Sequence, residues 1–162
     1  MVASCFRYAA FIFLHSILDR LAQKEEQRHL RNVEPSQGFT ALHSLIFLTK
    51  SEALRQILVL IESSSPLDGN CEYSALAFPL FVTGCECQGR DQLVLILRSL
   101  HSLEQNFGVQ NTRRAQELLT RLSRSPSWPS SSSKQPSNAG ESTPKQHWLD
   151  VLEEMDWDLI MV

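Results

Sequence analysis

The sequence predicts an all-α fold, a multi-helix array of about six or seven helices, and three observations lead there. Apolar residues recur at three- and four-residue steps in several separate segments. No segment reads as a strand hairpin, where apolar and polar residues would alternate around a two-residue turn. Turn chemistry is concentrated in a few places, such as Pro66-Leu67-Asp68-Gly69-Asn70 and Gly89-Arg90-Asp91.

In chain order, Phe6, Ala9, Ala10, Phe13, Ile17 and Leu21 mark the first helix and predict its buried face. Leu54, Ile57, Leu58 and Ile61 repeat the pattern, with Ser51 as expected N-cap and Glu52 in the first turn. Leu93, Ile96, Leu97, Leu100 and Leu103 form the next stripe, for which Asp91 is the expected cap. Ala115, Leu118, Leu119 and Leu122 form another. Apolar residues outside these stripes, such as Val59, Leu60, Val94 and Leu95, predict helices covered on more than one side.

Two elements break the regularity. Pro79 lies in the apolar run Ser74–Glu86, so the helix there either kinks or begins near Phe78. Gly84, about one turn after Pro79, offers with Cys85 a small surface for close helix approach. Residues 123–144 are polar and rich in serine and proline, which predicts one disordered loop. Thr143-Pro144-Lys145-Gln146 then has the form of a capping box, and the following helix places Trp148, Val151, Leu152 and Met155 on one face.

Composition narrows the function. Hydrophobic residues are 43% of the chain, formal net charge is −3 and the pI is about 5.9, values that argue against an autonomous nucleic-acid binder. Two arginine clusters, Arg20-Lys24-Arg28-Arg31 and Arg113-Arg114-Arg121-Arg124, read as solvated helix faces. The apolar run Tyr8–Leu14 falls well short of the roughly 20 residues of a membrane span, and no small-x-small cleavage site follows. A core helix, no membrane partner and a cytosolic or nuclear protein are expected.

Chemistry-bearing motifs are sparse. Cys85-Glu86-Cys87 with Cys71 and His101 is a poor metal set, because a Cys-x-Cys on a helix projects its side chains about 200° apart. None of the five histidines stands in a Cys-His nucleophile signature, and there is no phosphate loop or serine elbow. Buried reduced thiols, no bound cofactor and no catalytic residue are expected. The closing segment interleaves Asp150, Glu153, Glu154, Asp156 and Asp158 with Trp148, Leu152, Met155, Trp157, Leu159 and Ile160. It reads as a docked terminal helix in preference to an acidic activation tail, although carboxylates near a helix C-terminus oppose the macrodipole and require a partner.

Phe78-Pro79-Leu80-Phe81-Val82-Thr83-Gly84-Cys85-Glu86, together with His147-Trp148 and Trp157-Asp158-Leu159-Ile160, resembles the fungal-specific transcription factor domain, the helical regulatory region of fungal zinc binuclear cluster regulators. Phe6–His15, Ile57–Ile61, Asn111, Arg114-Ala115 and Leu118-Leu119 follow in family order, so the likeness spans 1–162 as one helical regulatory domain. The family's tryptophan near the end of the Leu118-Leu119 helix is replaced by Leu122-Ser123. The resemblance implies the C-terminal part of a nuclear regulator of RNA polymerase II transcription, with Phe78, Pro79, Phe81, Gly84, Trp148 and Trp157 as structural determinants. It also implies protein partners, a homodimer or a full-length relative, and a small-molecule effector. DNA contact and zinc would belong to a missing upstream cluster. A stand-alone helical interaction protein that works without DNA is the alternative.

Overall fold

The computed structural model describes residues 1–29, 48–63, 71–124 and 147–154. Among these residues the chain forms six α-helices and one 3₁₀ turn, with no strand. They are α1 (Val2–His29), α2 (Lys50–Ser63), the 3₁₀ turn (Cys71–Leu76), α3 (Ala77–Glu86), α4 (Arg90–Phe107), α5 (Asn111–Ser123) and α6 (Trp148–Glu154). The expected loop and capping box at 125–146 lie outside the described residues, as do Met155 and the residues after it. Ser123 is still helical and Arg124 closes α5.

α3 lies at the centre, between α1 on one side and the α4–α5 pair on the other, while α2 packs mainly on α1. Its sequence explains its place. Ala77, Pro79, Leu80, Phe81, Val82, Thr83, Gly84 and Cys85 are all buried, so α3 is covered on every side. Pro79 does not kink it. The 3₁₀ turn ends at Leu76, which puts Pro79 in the first turn of α3, where a backbone N–H has no intrahelical acceptor to lose. Thr83, the one hydroxyl in this segment, donates to the Pro79 carbonyl at 2.6 Å.

Gly84 lets α3 and its neighbours close together. A Cβ there would stand 2.6 Å from Leu119 Cδ1 and 3.1 Å from Ile96 Cγ2, and both of those side chains are fully buried. α4 and α5 are joined by Gly108, whose φ of 65° is the left-handed conformation that glycine adopts without a Cβ clash. Its N–H closes α4 on the Glu104 carbonyl at 2.9 Å.

Several expectations change. Val59 and Val94 are each 47% exposed while Leu60 and Leu95 are half-buried against the core, so α2 and α4 are covered beyond a single stripe but not all round. Cys5, Ala9, Ile12, His15, Ser16 and Leu18 of α1 are buried; of its expected stripe Ala9 is buried, Phe13 and Ile17 are half-buried against the core, and Phe6, Ala10 and Leu21 are exposed. Both faces of that helix carry apolar residues, and periodicity alone did not choose between them. Thr49, not Ser51, caps α2, its Oγ1 accepting the Glu52 N–H at 3.2 Å. Gly89 occupies the N-cap of α4 without a side-chain bond, and Asp91 lies in the first turn. By length and composition Val2–Glu25 is apolar enough to cross a membrane, beyond the short run Tyr8–Leu14. In this structure it packs along α2 and α3.

Candidate functional site

Glu86, Trp148 and His147 of the resemblance meet at the C-terminal end of α3. Glu86 is its last residue, where a carboxylate faces the negative end of the helix dipole and requires compensation. Three elements supply it. Lys50 Nζ, from the start of α2, lies 2.8 Å from Glu86 Oε2. Trp148, at the start of α6, donates its indole N–H to Oε1 at 2.7 Å. Ser16 Oγ of α1 lies 2.5 Å from the same oxygen and 2.9 Å from the Ile12 carbonyl, so two acceptors share its one proton. Glu86 therefore joins α1, α2, α3 and α6 through side chains alone. Lys50 also reaches Asp19 at 3.0 Å, which extends the network along α1.

Aromatic rings surround the indole. Trp148 packs edge-on to Phe81 at 6.1 Å and against Phe13 at 6.2 Å, with His147 stacked on it at 5.9 Å. Phe78 continues the cluster, packing on Phe13 at 6.2 Å and Phe6 at 6.3 Å. An indole suits this place because its body is apolar and its N–H reaches the carboxylate.

α6 is held from the outside as well. Arg20 Nε donates to Asp150 Oδ1 at 2.6 Å, its Nη2 pairs with Glu153, and Lys24 stands 3.8 Å from Asp150. These cations hold Glu153, which opposes the α6 dipole, and Asp150, which lies in the first turn where the dipole favours a carboxylate. Burial works against the Arg20 charge, but the bonds to Glu153 and Asp150 outweigh it and raise its pKa. At the N-terminus of α6 the Leu149 N–H donates to His147 Nδ1 at 3.2 Å, so an imidazole supplies the cap. Burial lowers the His147 pKa, and Lys50 acts in the same direction against Glu86, Asp150 and Asp19.

The remaining site residues take structural places. Phe78 is half-buried; Pro79, Leu80, Phe81 and Gly84 are buried in the centre of the array. Cys85 ends inside it, and Cys87 is buried just past the helix, so the two are not on one regular helical turn. Burial, then the Glu86 charge, pushes the Cys85 thiol well above its ordinary range and the Cys87 thiol up to about 12. Both stay protonated at neutral pH, which is unsuited to nucleophilic or metal-binding work. Among the described residues no cluster of three or more His, Cys, Asp or Glu side chains could hold a metal ion. Trp157 lies outside the described residues.

Sequence reasoning missed Ser16, Arg20 and Lys50. Ser16 carried a readable signal, being a hydroxyl in the middle of an apolar helix; Arg20 and Lys50 did not, since their partners lie 130 and 36 positions away. A separate shallow groove of about 620 Å³ runs between α4 and α5, lined by Glu104, Arg113, Glu117, Arg121 and Arg124 among others. There Gln116 donates to Glu104 at 3.2 Å and Arg113 stands 3.6 Å from Glu117.

The described α3 and α6 motifs are thus parts of one interlocked seat. The sequence matches the fungal specific transcription factor domain over residues 1–162. The chain belongs to that family. No curated protein and no solved structure matches it. Family membership gives the chain a role in transcription regulation, suggests a nuclear protein and places it in a family not known to be catalytic.

Proposed function

We propose that this chain is the C-terminal regulatory region of a fungal zinc cluster transcription factor, acting on RNA polymerase II transcription through protein partners. The family match across residues 1–162 carries the reading. The α3–α6 seat supports it, because a terminal acidic helix tied to three other helices through one carboxylate couples the end of the chain to its centre. In this reading DNA contact and zinc belong to a segment other than this one, and a small effector would act by favouring one arrangement of the helices. A formal net charge of −3 fits this reading and equally an alternative in which the same helices regulate by protein contact without DNA.

Tethering the chain to a heterologous DNA-binding domain in a fungal reporter strain tests the main reading. Wild type should move reporter output at least about threefold, up or down, and Trp148→Ala should change that output at equal protein level. Output at baseline in both activation and repression formats would count against a regulatory region that acts when brought to DNA, and would leave the DNA-independent alternative.

A further inference from the structure

Charge is unevenly divided along this chain. Residues 90–124, which form α4, the turn at Gly108 and α5, hold six of its 15 cations and only three of its 18 carboxylates. That hairpin therefore carries a formal +3 and the rest of the chain −6. All six cations are arginines, whose planar fork meets a carboxylate through two parallel hydrogen bonds, as a lysine ammonium does not.

Four of the six share one face of α5. At 100° per residue Arg113, Arg114, Arg121 and Arg124 fall within a sector of about 100°, all exposed, along about 16 Å of helix. Arg113, Arg121 and Arg124 line the groove between α4 and α5. The needs of the helix account for two of the four. Arg121 and Arg124 stand at the C-terminal end, where the dipole favours a cation. Arg113 and Arg114 stand in the first turn, where the dipole disfavours one, and no acidic residue shares that turn. Arg113 has Glu117 at 3.6 Å, while Arg114 and Arg124 make no ion pair among the described residues. Two cations placed against their own helix, in a row that is not neutralised from within, are arranged for an anion from outside.

Two features decide which anion. Glu117 lies between Arg113 and Arg121 in the same sector and is mostly exposed, so a phosphate backbone, charged at every step, would have to run over a carboxylate. The hairpin also offers bases no open ring to stack on, since its one aromatic residue, Phe107, is half-buried against the core. A peptide can set its carboxylates opposite the arginines and leave the place facing Glu117 to a neutral or basic residue.

We propose that the outer face of α5, along the groove it shares with α4, docks an acidic peptide segment of a partner protein. The proposal rests on the reading of this chain as a region that acts through protein partners, and it adds the surface and the chemistry of the contact. One helix face lies at the low end of specific interfaces, so the dissociation constant is on the order of 100 μM at low salt.

Fluorescence anisotropy of a fluorescein-labelled peptide of about twelve residues, Glu-Glu-Ala repeats that span the arginine row as a helix, tests the proposal with the purified full chain. Wild type should bind, although its net charge of −3 opposes an acidic probe, and raising salt from about 50 to about 500 mM should weaken binding at least about tenfold. Arg113→Gln with Arg114→Gln should weaken it about tenfold while the melting temperature holds or rises, because two cations leave the start of a helix. Arg7→Gln with Arg55→Gln, which removes as much charge from exposed sites on α1 and α2, should leave binding within about twofold. A wild-type chain that does not bind the peptide, or a loss just as large in Arg7→Gln with Arg55→Gln, overturns the proposal. Tighter binding of a double-stranded DNA oligonucleotide, lost in Arg113→Gln with Arg114→Gln, would assign the face to nucleic acid and overturn it equally. The tethered reporter separates this surface from the reading beneath it. A reporter that responds without peptide binding removes the surface alone, and peptide binding with a silent reporter keeps the surface and removes the transcriptional reading.

Discussion

The contact of α3 with α4 and α5 and the seat of α6 on α1 and α3 hold the same molecule together by different means. The first is apolar and close: Gly84 has no side chain, and Leu119 and Ile96 fill the space where one would be. Neighbouring atoms there exclude one another, and the side chains that meet at Gly84 are apolar. The second depends on one ring and a set of charges. Trp148 is anchored at Glu86, and Arg20 and Lys24 hold the outer carboxylates. A packed contact of the first kind fails abruptly when volume is added. A seat of the second kind weakens in steps and responds to salt and pH, because its partners remain able to meet water.

The sharpest way to break this comparison is at Gly84. Gly84→Val places two methyl groups where Leu119 already stands, and overpacking there should cost about 3 kcal/mol, measured by urea denaturation. Gly84→Ala separates two opposing effects. Alanine in a helix interior gains about 0.5–1 kcal/mol over glycine, but its Cβ would meet Leu119 at 2.6 Å and Ile96 at 3.1 Å. A net loss of about 1 kcal/mol is expected. A gain would show that Leu119 swings aside freely and that the close approach is not required.

At the α6 seat, Trp148→Phe keeps most of the buried ring area and removes only the indole donor. Glu86 retains Lys50 and Ser16, so the loss should be about 1–2 kcal/mol, less than at Gly84→Val. Glu86→Gln should cost a similar amount, since it removes the charge paired with Lys50 while leaving an acceptor for the indole. If the two losses add when the substitutions are combined, the indole and the carboxylate do not act on each other, and Glu86 is not the link described above.

Outside the seat, Arg20→Gln should cost less again, about 0.5–1 kcal/mol, with the difference from wild type shrinking between 50 mM and 1 M salt. Arg20 is about one-fifth exposed and its partner Glu153 mostly exposed, so screening acts directly on this pair. A salt-independent difference would mean that Arg20 matters by packing its aliphatic stem and not by its charge.

How much of this was visible in the sequence follows the same division. The stripes Leu54-Ile57-Leu58-Ile61, Leu93-Ile96-Leu97-Leu100-Leu103 and Ala115-Leu118-Leu119-Leu122 are buried as their spacing implies, apart from the half-buried Leu97, because burial of one helix face is a local, periodic property. α1 is where this reasoning held in part, for Ala9, Phe13 and Ile17 but not for Phe6, Ala10 and Leu21: with apolar residues on both faces, the choice depends on what packs against the helix, which the helix does not encode. Caps at Thr49 and Gly89 in place of Ser51 and Asp91 are shifts of two residues, within the ordinary uncertainty of a helix start. The phenylalanines and tryptophan of the site could be singled out from sequence because large rings need burial. Its cations could not, since Arg20 and Lys50 become partners of Asp150 and Glu86 only after four helices have assembled.

The smallest expected effect is a pH dependence centred on His147. Its folded pKa is lowered, chiefly because burial disfavours the charged ring, with Lys50 acting in the same sense and Glu86, Asp150 and Asp19 against it. The neutral ring is also what the Leu149 N–H needs as an acceptor at Nδ1. A base that holds its proton less tightly when folded leaves the unfolded chain with more bound protons at mildly acid pH. The contribution is therefore fully present above the ordinary histidine value of 6.5 and is lost as pH falls from there through the lowered folded value. Stability should decline between about pH 7 and pH 5 by a fraction of a kcal/mol that His147→Gln abolishes, while Arg20→Gln leaves the slope in place. Because His147 stacks on Trp148, indole fluorescence in a chain carrying Trp128→Phe and Trp157→Phe should follow the same titration. A titration that survives His147→Gln would show that His147 is not its source, and the cap at α6 would then be a bond without influence on the seat.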